Sequence, residues 1–152
     1  MSHEARLKEL GIELPPVPAA AGLYAPCVRT GNLFFVSGQI PTKDGRPALL
    51  GKLGREVSVE QAIPLARQCA LQALAIVRAE TGSLDAISRV VRVGGFVASA
   101  EGFTDHPKVV NGASQLLIDI FGDAGRHARI AVGLAELPMG VPVEVEFLFE
   151  LA

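Results

Sequence analysis

Apolar residues recur along this chain with two periods. Ile63, Ala66, Ala70, Ala73, Leu74 and Val77 fall at helical spacing, with Cys69 beside the stripe as a packed core residue. Ser58, with Gln61 three residues on, is a capping-box start for this helix, and Gly82 follows Thr81 as its stop. Pro64 lacks the N–H an interior helical position needs and predicts a kink or a late start. The same period returns at Val109, Val110, Ala113, Leu116, Leu117 and Ile120, with Thr104 or Asp105 as cap, Pro107 in the first turn and Gly122 at the end. Asn111 falls to the side of that stripe, where a lone polar residue is ordinarily solvated. A short amphipathic segment, Ser2 to Leu10, ends at Gly11.

Elsewhere the period is two. Leu23 to Thr30 and Leu33 to Gly38 read as strands joined by Gly31-Asn32. The valine-rich run from Ile87 to Ser99 reads as a third, and its Gly94-Gly95 pair predicts a bulge or a close approach by another part of the chain. Ile130, Val132 and Leu134 alternate with Arg129, Ala131, Gly133 and Ala135. Val143, Val145, Phe147 and Phe149 alternate with Glu144, Glu146, Leu148 and Glu150. The last two strands are expected to form a hairpin through a Pro138-Met139-Gly140 turn. The order ββαβαββ predicts an α+β two-layer sandwich, a sheet covered on one face by two helices. Both helices are crossovers, so the sheet is expected to be mixed. Residues 1–152 are expected to make a single domain with an N-terminal arm, residues 1–22, laid on the body, and Thr42 to Val57 to be a loop or irregular flap.

Composition narrows the function classes. With 49% hydrophobic and 20% charged residues the chain is a globular mixture, long enough at 152 residues to bury one core. A net charge of −2 gives no electrostatic footprint for nucleic acid or an anionic membrane surface. No apolar run approaches the ~20 residues of a membrane span, and the charged start, MSHEARLKELG, is unlike a signal peptide, so a cytoplasmic protein is expected. Cys27 and Cys69 lack metal-ligand spacing, and free thiols without a structural metal are expected.

The candidate chemistry gathers at Arg129. In an even-length hairpin with Leu137 opposite Pro142, Arg129 shares a face with Glu144, Glu146 and Glu150. It is then either the cross-strand partner of Glu150 or an anion clamp, a planar fork of donors among small neighbours that leave room for a carboxylate. The small face of Ala131, Gly133 and Ala135 is too apolar to stay exposed and is expected to be covered by another subunit.

The run from Arg129 to Pro138 (RIAVGLAELP), followed by Val143-Glu144-Val145-Glu146, resembles the C-terminal motif of the RidA/YjgF family of imine/enamine deaminases. Tyr24 before the first hairpin, Gly31 to Pro41 (GNLFFVSGQIP) and Asn111 match further family features in order, from about Tyr24 to the end of the chain. The resemblance implies a chorismate-mutase-like fold, a homotrimer with sites between subunits, no cofactor, and hydrolysis of 2-imino or 2-enamino acids to 2-keto acids and ammonia. It implies that Arg129 holds the substrate carboxylate with the Ser37-Gly38 backbone and Asn111, that Glu144 orients or activates water, and that Tyr24 closes the pocket. In the hairpin register Glu144 faces Ala135, about 20 Å along the strand from Arg129, so a shared site needs Glu144 from a neighbouring subunit. Read from the residues alone, Glu144 is a solubilising edge charge.

Many family members carry a cysteine two residues after the arginine, where this chain has Ala131, so a thiol-dependent role is absent. His127, on the face of Arg129, could replace part of that chemistry or simply begin the strand half exposed. The arm and the long loop after Pro41 look like a longer branch of the family. Two other functions stay open: a ribonuclease that inhibits translation, against which the weak acidity and lack of a basic stripe argue, and a non-enzymatic binder of small carboxylates.

Overall fold

The computed structural model describes residues 1–152. Helix α1 (His3–Glu9) begins at Ser2, whose Oγ accepts from the Ala5 amide, and the chain leaves it through Gly11 at φ 67°. Helix α2 (Val59–Thr81) has the full capping box: Ser58 Oγ accepts from Gln61 N at 3.2 Å and Gln61 Oε1 from Ser58 N at 2.9 Å. It runs through Pro64 with no delayed start and ends at Gly82 in the left-handed region, φ 86°. Helix α3 (His106–Phe121) has Asp105 at its N-cap position, one of the two expected residues, but without the side-chain cap bond. The Asp105 side chain makes no cap bond and pairs with Lys108 at 3.5 Å instead.

Five strands form the main sheet: β1 (Cys27–Thr30), β2 (Leu33–Gln39), β5 (Ile87–Ala98), β6 (Ala128–Leu134) and β7 (Val143–Leu151), in the order β1-β2-β7-β5-β6. The first hairpin turns at Gly31, φ 57°, the first central position, as a type II′ turn requires. The 42–57 segment is more ordered than a loop. It holds a small ribbon, β3 (Thr42–Lys43) and β4 (Arg46–Pro47), turned by Asp44 and Gly45 at positive φ, and it buries Leu53 completely.

The expected hairpin between the last two strands does not exist. β6 lies at the sheet edge parallel to β5, while β7 is central and antiparallel to both β2 and β5. The crossover through α3 sets β6 beside β5, and the crossover through α2 leaves a strand-wide slot between β2 and β5 whose backbone groups need a partner. β7 fills that slot, burying Val143, Val145, Phe147, Phe149 and Leu151 on one face with half-buried residues on the other. Arg129 is therefore opposite Val93, and Glu150 opposite Leu33 and Arg89, so their cross-strand pair is ruled out.

Both long helices pack on one face of this mixed sheet, the α+β two-layer arrangement, and glycines permit their approach. A Cβ on Gly112 would lie 2.0 Å from the Ile63 carbonyl oxygen, and one on Gly95 2.3 Å from Val110 Cγ2. Gly94-Gly95 is thus a place of close approach, whereas the irregularities in the β5–β7 pairing lie at Ser88 and Val91. Helix α1 packs on the body: Leu7 is buried, Glu4 makes a two-point pair with Arg78 (3.0 and 2.5 Å), and Arg6 Nε donates to Asp119 O at 2.9 Å. No helix is long and apolar enough to cross a membrane.

Candidate functional site

Strand β6 carries Arg129 on the helix side of the sheet, beneath the first turns of α3. Its Nη1 donates to Asn111 Oδ1 at 2.7 Å and to Ser114 Oγ at 3.1 Å, and its Nη2 to the Pro107 carbonyl at 3.4 Å. Asn111 and Ser114 are three apart and so share a helix face. None of these acceptors is charged, and Arg129 enters no ion pair. A permanent cation, held by neutral groups and lacking a counter-ion, is suited to receive an anion from outside the chain.

His127 extends the cluster. Its Nδ1 lies 2.6 Å from the Gly125 carbonyl and its Nε2 2.9 Å from Ser114 Oγ. Burial pushes the imidazole pKa below its ordinary value; the Gly125 bond opposes that shift and the neighbouring Arg129 charge adds to it. The ring is therefore neutral near pH 7. The small face of β6 is only partly covered within this chain, and Gly133 and Ala135 stay exposed. Ala131 packs against the core, and a Cβ on Gly133 would stand 2.5 Å from His106 Nε2. The opposite face of β6, with Ile130 and Leu134, is exposed as well.

Glu144 belongs to a second cluster. Its neighbours along β7, Val143 and Val145, point into the core, so Glu144 faces the open side of the sheet. It meets the Ser37-Gly38 irregularity of β2 so closely that a Cβ on Gly38 would lie 2.5 Å from Glu144 Oε1. Burial, and then the like charge of Glu146, push its pKa up. Ser37 Oγ donates to Ala25 O at 2.6 Å, tying the bulge to the chain entering β1. Tyr24, about half exposed, accepts from Ala21 N at 3.2 Å and shares with Gly38 the lining of a cavity of about 120 Å³ under the arm.

The expected residues therefore separate: Arg129, Asn111 and His127 gather on one face, Glu144 meets Gly38 and the Ser37 irregularity on the other, and Tyr24 lines the cavity under the arm. Glu144 is level with Phe96 on β5, and Phe96 with Val132 on β6, three residues from Arg129. Two strand spacings and three residue rises put the two Cα atoms about 14 Å apart, with their side chains on opposite faces. This replaces the 20 Å expected along one hairpin, though a direct meeting within one chain is excluded either way. Sequence reasoning missed Ser114. The available signal was a serine three residues after Asn111, interrupting an otherwise apolar helix face.

A family model described as "YjgF/chorismate_mutase-like, putative endoribonuclease" matches residues 4–151. The chain belongs to this family. The YjgF match takes in the N-terminal arm, which the motif resemblance, beginning near Tyr24, did not reach. Protein TCP17 of Trypanosoma cruzi is 45% identical over 148 residues, covering 97% of this chain and 92% of the relative. The crystal structure of Atu1372 from Agrobacterium tumefaciens is 45% identical, with a TM-score of 0.89, over 99% of this chain and 92% of that one. RidA from the Antarctic bacterium Psychrobacter sp. PAMC 21119 is 28% identical, with a TM-score of 0.61, over 89% and 94%. The YjgF fold is thus shared with RidA, and Atu1372 follows this chain's shape more fully.

Proposed function

We propose that this YjgF-family chain hydrolyses 2-imino and 2-enamino acids, releasing the 2-keto acid and ammonia, in a cleft between subunits of a homotrimer. The observation that carries the reading is complementary: an arginine without an anion and a half-buried carboxylate without a cation, on opposite faces, unable to reach each other within one chain. A neighbouring copy supplies what each lacks. The surface for it is the uncovered sheet face, where Val28 (56%), Phe35 (45%), Ile130 (40%) and Leu134 (39%) remain exposed.

In the reaction, Arg129 holds the substrate carboxylate and fixes the plane of the adjacent C=N bond. Glu144, in its carboxylate form, accepts a proton from water as the water oxygen attacks the imine carbon; that proton is returned to nitrogen, and collapse of the carbinolamine expels ammonia and leaves the ketone. Tyr24 and the Gly38 backbone close the site. No electrons change hands, so residues alone suffice.

The decisive measurement is ammonia release from freshly generated 2-iminopropionate. Arg129→Lys should fail nearly as badly as Arg129→Ala, because lysine keeps the charge but not the two parallel hydrogen bonds. Loss of a charge-assisted contact of ~1.5–3 kcal/mol lowers kcat/KM about 10- to 150-fold. Wild-type turnover in Arg129→Ala would remove the deaminase reading. The family description itself makes RNA cleavage the second reading. Cleavage that persists in nuclease-free preparations of a protein inactive on imines would establish it, and carboxylate binding without turnover of either substrate would mark a binding protein.

A further inference from the structure

We propose that Ser114 and His127 are positioning residues, which, with Asn111, saturate one side of the Arg129 guanidinium and leave its Nε/Nη2 edge as the face offered to a planar, two-oxygen anion. The proposal rests on the reading of Arg129 as a carboxylate clamp.

The direction of every bond in the chain follows from donor inventory. A carbonyl can only accept, so the His127 proton sits on Nδ1, toward Gly125 O at 2.6 Å. The neutral ring's Nε2 is then an acceptor, and the Ser114 hydroxyl must point its hydrogen there, at 2.9 Å. That leaves the lone pairs of Ser114 Oγ for Arg129 Nη1, at 3.1 Å. The second Nη1 hydrogen goes to Asn111 Oδ1 at 2.7 Å. Both Nη1 hydrogens are now committed, one Nη2 hydrogen leans toward Pro107 O at 3.4 Å, and Nε has no acceptor in the chain. The open edge is the one that Arg78 presents to Glu4 in this same molecule, Nε to one carboxylate oxygen and Nη2 to the other. Because both ring nitrogens of His127 are used inside the chain, its contribution passes through Ser114 and not through substrate.

Ser114 is the hinge of the relay. The residue is 9% exposed and its hydroxyl is engaged by His127 and Arg129. Without the Nε2 acceptor the hydroxyl rotates freely and its lone pairs are no longer aimed at Nη1. Without the hydroxyl, Nη1 keeps a single anchor and the guanidinium plane can swing about Asn111.

Pyruvate binding by calorimetry tests this on the intact protein, with turnover of 2-iminopropionate alongside. Ser114→Ala is expected to weaken pyruvate binding about tenfold, the loss of one hydrogen bond to a charged group, and to raise KM while kcat stays within about twofold. Ser114→Thr, which keeps the hydroxyl, should restore it. His127→Phe should give a smaller loss in the same direction, and Ser114→Ala/His127→Phe should be no weaker than Ser114→Ala alone, because both act through one hydroxyl. Wild-type affinity in Ser114→Ala, or losses that add in the double variant, would overturn the proposal. Arg129→Ala separates the two readings. If it abolishes pyruvate binding while Ser114→Ala keeps wild-type affinity, the relay alone is wrong; if it leaves binding intact, clamp and relay fall together. Ring nitrogen shifts of His127 in the wild-type protein give an answer even where a variant does not fold: a proton on Nδ1 supports the relay, and one on Nε2 overturns it.

Discussion

The two clusters are built on different principles. Around Arg129 every side chain has a hydrogen-bond partner, and the scaffold is regular, a helix face against a strand. Glu144 has none: its carboxylate accepts no hydrogen bond from the chain, and it is placed by packing against a strand irregularity. The Arg129 guanidinium is thus held in place by the chain itself, while the Glu144 carboxylate is left with unfilled acceptor positions in a half-buried setting. An anion-holding group gains from a fixed plane, since binding then costs little ordering. A group that must take and return a proton needs free lone pairs and a perturbed pKa, and full internal satisfaction would remove both.

If the clusters work together only across subunits, separating the subunits has the largest effect of any change. Phe35→Glu places a charge in the middle of the uncovered sheet face, at a position 45% exposed in the single chain, so it should leave the fold intact. Light scattering should show smaller particles than the wild type, with circular dichroism unchanged and ammonia release lost. A monomer that kept turnover would mean that one cluster suffices, and the comparison drawn above would lose its functional meaning.

What could be read in advance follows the same division. Features set by residues close in sequence were legible: the Ser58/Gln61 capping box, the turn at Gly31, the stops at Gly82 and Gly122, and the alternation of β7. The pairing of β6 was not. Eight residues, Ala135 to Pro142, separate it from β7, and the local rule that neighbours in sequence pair in space pointed to a hairpin. The better clue was burial demand. β7 has a fully apolar face of five residues to bury, whereas β6 mixes small residues with an arginine, as an edge tolerates. With the register misjudged, the partners of Arg129 were misjudged too: Asn111 was recognised from the family motif, and Ser114, which no motif marks, was not. The neighbours of Gly38 and Glu144 depend on an irregularity between β2 and β7, a long-range feature that alternation within either strand does not reveal.

An intermediate effect separates the clusters directly. Gly38→Ala brings a Cβ against Glu144 Oε1, and the carboxylate, at the end of a flexible side chain, is what must move. Displacing a proton-transfer group by about 1 Å costs on the order of 100-fold in kcat. Pyruvate affinity should fall much less than kcat, because the added Cβ meets Glu144 and not the Arg129 cluster that holds the carboxylate. Equal losses in kcat and in pyruvate affinity would show that Gly38 touches the bound carboxylate more than it guards Glu144.

The smallest expected effect is a shift along the pH axis. Glu144 is raised above the ordinary glutamate value of 4.5, first by burial and then by Glu146, so turnover, which needs the charged carboxylate, should fall with decreasing pH through a midpoint above 4.5. Glu146→Gln removes the like charge, and the acid limb should move to lower pH, measured as kcat after subtraction of the uncatalysed rate. Stability has the opposite sign. A carboxylate whose folded pKa is raised favours the folded state below its unfolded pKa, and that contribution disappears as pH rises through the folded value. Glu144→Gln should therefore raise Tm at pH 7 while abolishing turnover. Glu146→Gln should change Tm little, since it also gives up the half-exposed pair with Arg92 at 3.8 Å. An acid limb that stays in place in Glu146→Gln, with Glu144→Gln fully active, would assign the proton transfer to some other group and reduce the second cluster to a solvated edge.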